Sequence, residues 1–184
     1  MMQRYFSTRE YVLAALLAAA LLLTSSIIIP LTLPLRIPGL ANAVNAPFAA
    51  FFLVIGLARL RRAGSLLLIL GIYALVCLLI HPVIFSFIMA GAVAAELVGW
   101  VLFRGFPTPR AQLTGVVIYE MVSFPAAMVF SLWLLPERAL RPALWVFLVA
   151  ELAILATSLL GGVIGLKVAR ELARAGKLQV DVEP

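Results

Sequence analysis

Residues 82–103 read PVIFSFIMAGAVAAELVGWVLF, twenty-two residues that carry one charge, Glu96. A membrane span needs roughly 20 mostly apolar residues. A barrel strand would instead alternate over about ten. Backbone in lipid must satisfy its own hydrogen bonds, so a continuously apolar stretch of this length is expected to be a helix. Five further segments have the same character: 11–29, 40–58, 63–80, 111–135 and 143–166. The 184 residues are 65% hydrophobic and 12% charged, which excludes an ordinary soluble domain. The expected fold is all-α, a polytopic membrane protein with six transmembrane helices. Residues 1–178 form one domain and 179–184 a disordered cytoplasmic tail. The first segment follows Arg4 and Arg9 as a secretory signal would, but no clear cleavage site follows its apolar run, so it reads as a retained helix. The single Cys77 has no intrachain disulfide partner.

Charge sets the orientation. With the N-terminus inside, Arg4, Arg9, Arg59, Arg61, Arg62, Arg104, Arg110, Lys167, Arg170, Arg174 and Lys177 fall on the cytoplasmic side. Only Arg36, Arg138 and Arg141 fall outside. This bias is the positive-inside pattern and predicts N-in and C-in. It also accounts for the net charge of +6 without nucleic acid. Between the first two helices, PLTLPLRIPGLANAVNAP holds Pro30, Pro34, Pro38 and Pro47, which predicts an apolar external loop, either an interfacial strap or a lid over a pocket. His81-Pro82 predicts a tight external turn, with His81 more structural than metal-binding.

Three carboxylates, Glu96, Glu120 and Glu151, lie within segments. An acid in mid-bilayer costs roughly 2.5–3.5 kcal/mol, so each needs a protein-facing partner or a wet cavity. At 1.5 Å per residue in a ~30 Å core, they sit ~10, ~13 and ~16 Å above the cytoplasmic edge. Each shares a stripe with small or polar residues: Ala92, Ala95 and Gly99 with Glu96, Ser123, Ala127 and Ser131 with Glu120, and Ser158, Gly162 and Gly165 with Glu151. Such stripes face other helices. The three acids are therefore expected around a shared interior that holds no Lys or Arg. That chemistry suits a ligand with positive charge or several N–H donors, with Tyr119, Ser123, Phe124, Trp133 and Trp145 as neighbours. Helix packing is the alternative role for each acid, and an interfacial belt the alternative for the two tryptophans. Enzyme signatures are absent: no His-Glu-x-x-His, no phosphate-binding Gly-Lys-Ser/Thr loop, and an only Asp, Asp181, in the tail. One His and one Cys leave no metal site and no cofactor is expected.

Six helices in under 200 residues, the first-helix AALLAAA, GAVAAELVGW in the fourth and the ending SLLGGVIGLKVARELARAGKL together resemble the substrate-binding S components of energy-coupling-factor (ECF) vitamin transporters, nearest the thiamine-precursor branches. The resemblance implies a plasma-membrane binding subunit that captures a vitamin outside and works with a transmembrane T subunit and two cytoplasmic ATPases. It implies that Ala14, Ala15, Ala18 and Ala19 form the docking face for the T subunit. It places the pocket between helices four to six under the residues around Asn42 and Asn45, and sets Glu96 where an acid pairs with an aminopyrimidine. Two other readings stand beside it: a proton-coupled carrier that uses the same acids, and a scaffold subunit in which they lock helices together.

Overall fold

The computed structural model describes residues 6–137 and 142–175. Six helices follow one another: α1 (Thr8–Thr32), α2 (Leu40–Leu60), α3 (Ser65–Leu78), α4 (Pro82–Phe103), α5 (Pro109–Leu134) and α6 (Leu144–Arg174). Five are long and apolar enough to cross a membrane. The sixth, α3, has 14 residues and covers only ~21 Å. The protein is an all-α polytopic membrane protein. The 179–184 tail, Arg4, Arg138, Arg141 and Lys177 lie outside the described residues.

Local chemistry explains where the helices start. Ser7 opens α1 with a capping box: its Oγ accepts from the Glu10 amide at 3.4 Å, and its own amide donates to Glu10 Oε2 at 2.6 Å. At α4, His81 Nδ1 accepts from the Val83 amide at 3.2 Å, and Pro82 occupies the first turn, where a missing N–H costs nothing. His81 is therefore a turn-and-cap residue. Thr108 caps α5 by accepting from the Ala111 amide at 3.2 Å.

The segment expected as a proline-rich loop is mostly helix. Pro30 lies inside α1 and Pro47 inside α2, so the connection shrinks to residues 33–39, with a short 3-10 turn over Leu33–Leu35. Proline removes one helical donor, but a membrane helix tolerates this where a neighbour packs against the site. At Pro47 the neighbour is α6, whose Gly161 lies against the Pro47 main chain. Asn45 consequently sits within α2, and neither a strap nor a lid of the expected length exists.

The most extensive contact is between α2 and α6, followed by α4 with α5. The main core joins α1 to α5 around Leu53, Leu57, Leu66, Ile69, Leu70 and Phe106. A smaller cluster of Ala43, Ala46, Phe124, Ala150 and Ile154 closes the bundle between α2, α5 and α6. Phe106, in the α4–α5 connection, is fully buried against Gly99 and Gly115, and Gln112 Nε2 donates to its carbonyl at 3.1 Å. That connection also abuts the α2–α3 turn, because a Cβ on Gly105 would lie 2.9 Å from the Ala63 amide nitrogen. The α1 start joins the same end through Arg62, whose Nη2 meets Glu10 Oε1 at 2.7 Å. The segments rich in arginine are thus gathered at one end of the bundle, as the charge bias requires.

Candidate functional site

Glu96 does not point into a shared interior. Its two oxygens accept from three main-chain amides at the start of α3: Oε1 from Gly64, and Oε2 from Leu66 at 3.1 Å and Leu67 at 3.2 Å. The first amides of a helix have no intrahelical partner and carry partial positive charge, so a carboxylate there satisfies both needs. Neither Gly64 nor Ser65 supplies a side-chain cap. The acid of α4 takes over that task from about thirty residues away in sequence. It fastens α4 to α3 at the basic end of the bundle, seven residues before α4 ends.

Glu120 and Glu151 are in a different situation. Each is buried, and among the described residues no group donates to Glu120 Oε1 or to either oxygen of Glu151. Both border the smaller cluster. Glu120 lies one turn before Phe124 on the same face of α5, while Glu151 follows Ala150 and precedes Ile154 by a turn on α6. Every described Lys and Arg is exposed or half-buried, so none lies among the buried groups to neutralise these acids. A buried polar atom left unpaired costs free energy comparable to a lost hydrogen bond. Such groups mark places where a protein is built to meet something else.

A polar chain joins α1, α2 and α3 through Asn45, which was expected from the sequence, and through Tyr73 and Ser25, which were not. Tyr73 on α3 donates its hydroxyl to Ser25 Oγ on α1 at 3.1 Å, and Ser25 donates to Asn45 Oδ1 on α2 at 3.4 Å. The available signal was a tyrosine inside an otherwise greasy α3 and a serine inside α1, both of which must find partners in hydrocarbon. Tyr119 and Ser123 are buried next to α4, where a Cβ on Gly91 would run into Ser123 Oγ, and Ser123 Oγ itself donates to the Tyr119 carbonyl at 2.6 Å. Tyr119 and Ser123 thus lie at the α4–α5 contact, Asn45 belongs to the chain that joins α1, α2 and α3, and Glu120 and Glu151 border the small cluster between α2, α5 and α6.

Other expected site residues lie elsewhere. Trp145 is 69% exposed and Trp133 is 77% exposed, both on the outer surface, the position of an interfacial belt. Of the four alanines, Ala14 and Ala18 are buried in the main core, whereas Ala15 and Ala19 face outward. Among the described residues no group of His, Cys, Asp and Glu could hold a metal ion. Comparison of the chain with protein-family models, curated proteins and solved structures gives no match.

Proposed function

We propose that this protein is a membrane-embedded solute-binding subunit of the ECF S-component type, residing in the plasma membrane and serving uptake with a T subunit and two ATPases. The observation that carries the proposal is the pair of buried acids, Glu120 and Glu151: among the described residues no group donates to Glu120 Oε1 or to either Glu151 oxygen, and no Lys or Arg is buried. A solute with positive charge or convergent N–H groups matches that lining, and an anion does not. Thiamine and its aminopyrimidine precursor have this chemistry and are the first solutes to test. Glu96, whose carboxylate is taken up by α3, is left out of the solute contacts in this proposal.

The purified protein is expected to melt at a higher temperature with such a solute. The double change Glu120→Gln with Glu151→Gln should remove the response, weakening binding roughly a hundredfold if each charged contact is worth about 1.5 kcal/mol. No shift across a vitamin panel, or an undiminished shift in the double variant, would refute the assignment. The outward ridge of Ala15 and Ala19 supplies a surface where another helix can approach closely. Ala15→Leu is expected to weaken T-subunit pull-down roughly tenfold, a loss of about 1.4 kcal/mol, with the melting temperature unchanged. Undiminished association would remove α1 as the docking face.

A second reading follows from the same two acids. Carboxylates sealed from solvent within a bundle are also the groups that a proton-coupled carrier uses. Uptake into vesicles that lack T and ATPase subunits would decide for that reading.

A further inference from the structure

At the arginine-rich end, α2, α5 and α6 leave a small groove of about 80 Å³, partly open to solvent, that none of the preceding roles uses. Its lining is apolar at Ala58, Pro109, Leu166 and Ala169 and basic or polar at Arg61, Arg170 and Gln112. Among the described residues no acidic side chain lines it. Arg61 donates its Nε to the Ala58 carbonyl at 3.0 Å, which holds the base of the guanidinium beside the groove. Neither Arg61 nor Arg170 is paired with a carboxylate among the described residues. The nearest acid in sequence, Glu171, is engaged by Arg174 at 2.8 Å.

We infer that this groove binds the phosphate headgroup and proximal chain of an anionic phospholipid of the cytoplasmic leaflet. Two guanidiniums without a carboxylate partner among the described residues supply donors with the planar geometry that phosphate oxygens accept. The positive end of α5, which begins at Pro109 on the groove wall, adds to the same field. The apolar part of the lining has no use for a free anion, but it fits the first methylenes of an acyl chain. Grooves between membrane helices with basic walls on the cytoplasmic side recognise anionic headgroups for these reasons. Arg61 and Arg170 come from the ends of α2 and α6, the two helices that share the most contact, so an occupant would join these helices at one end of their seam.

The test is a titration of short-chain phosphatidylglycerol into the full-length, detergent-purified protein, read by melting temperature, with phosphatidylcholine and inorganic phosphate as parallel arms. Phosphatidylglycerol is expected to raise the melting temperature saturably, and phosphatidylcholine is not. Arg61→Gln with Arg170→Gln should raise the apparent dissociation constant roughly thirtyfold. Ala173→Trp, which obstructs the groove but keeps both charges, should weaken binding roughly tenfold or more. The control pair Arg9→Gln with Arg104→Gln removes equal charge from the same end without touching the groove, and it should change binding by about twofold at most. An unchanged titration in the Arg61/Arg170 variant overturns the inference. So does an equal loss in the control pair, which would assign the attraction to the whole basic face. A response to inorganic phosphate equal to that with lipid would make the groove a free-anion site and overturn the lipid assignment.

Discussion

Replacing Glu96 with alanine is expected to cost roughly 3–5 kcal/mol of stability, more than the usual loss of a helix cap. An ordinary N-cap removal costs about 1 kcal/mol because water takes the place of the lost acceptor. Here three amides, those of Gly64, Leu66 and Leu67, would lose their acceptor together, and Leu66 is fully buried. Each unsatisfied buried donor carries about 1–3 kcal/mol. Glu96→Gln keeps one acceptor oxygen and should fall between wild type and alanine. Glu96→Asp, one methylene shorter, should lose reach to α3 and behave like the alanine variant. The measurement is reversible unfolding in bicelles, with solute response followed in parallel. If Glu96 served the solute instead, Glu96→Ala would lose that response while unfolding at the wild-type midpoint, and the capping role would be refuted.

The helices themselves were legible because hydrocarbon imposes one length and one pattern on any chain that crosses it. The segment 82–103 coincides with α4, and the other expected spans begin and end within a few residues of their helices, except that α1 gains a turn at its start and α6 runs on to Arg174. Pro30 and Pro47 were both misread, and at Pro47, where α6 packs on the main chain, the reason is physical. In water a proline inside a helix exposes a broken ladder, whereas within a bundle a neighbouring helix can cover it. The stripes that place Glu120 and Glu151 inside were legible as well, since burial follows from i, i+3, i+4 spacing. What could not be read was the partner of each acid. The α3 amides that hold Glu96 lie about thirty residues away, and nothing local to GAVAAELVGW names them. Only the uncapped start of α3, RRAGSLLL, carried the complementary hint: a helix start without a side-chain acceptor of its own, deep in an apolar chain, requires one from elsewhere. Tyr73 and Ser25 were equally hidden, and Asn45 was named without its partners, because one polar residue on each of three helices becomes a hydrogen-bonded chain only after the helices meet.

A methyl group added at Gly161 is expected to destabilise the protein by about 3 kcal/mol or more, at the upper end of what overpacking normally costs. The Cβ of an alanine there would collide with the Pro47 carbonyl oxygen and would lie 2.5 Å from Pro47 Cα and 2.6 Å from its carbonyl carbon. These are main-chain atoms of α2, so no side-chain rotation relieves the overlap, and α2 and α6 must separate. Gly165 continues the same seam, where a Cβ would stand 2.9 Å from the Phe51 carbonyl oxygen. Gly71 provides the comparison. Nothing lies within 4 Å of its would-be Cβ, so Gly71→Ala should be neutral or stabilise α3 by about 0.5–1 kcal/mol through helix propensity. Unfolding midpoints of the two variants in one bicelle system separate steric conflict from a general effect of glycine loss. The consequence reaches the acids, because Glu151 lies ten residues earlier on α6, beside Ala150 and Ile154, which pack with Ala43 of α2. Moving the seam apart loosens that cluster, so Gly161→Ala should reduce the solute response that depends on Glu151, whereas Gly71→Ala should leave it intact. Equal stability of the two alanine variants would mean that α2 and α6 do not approach this closely, and the enclosure of Glu151 between α2, α5 and α6 would lose its basis.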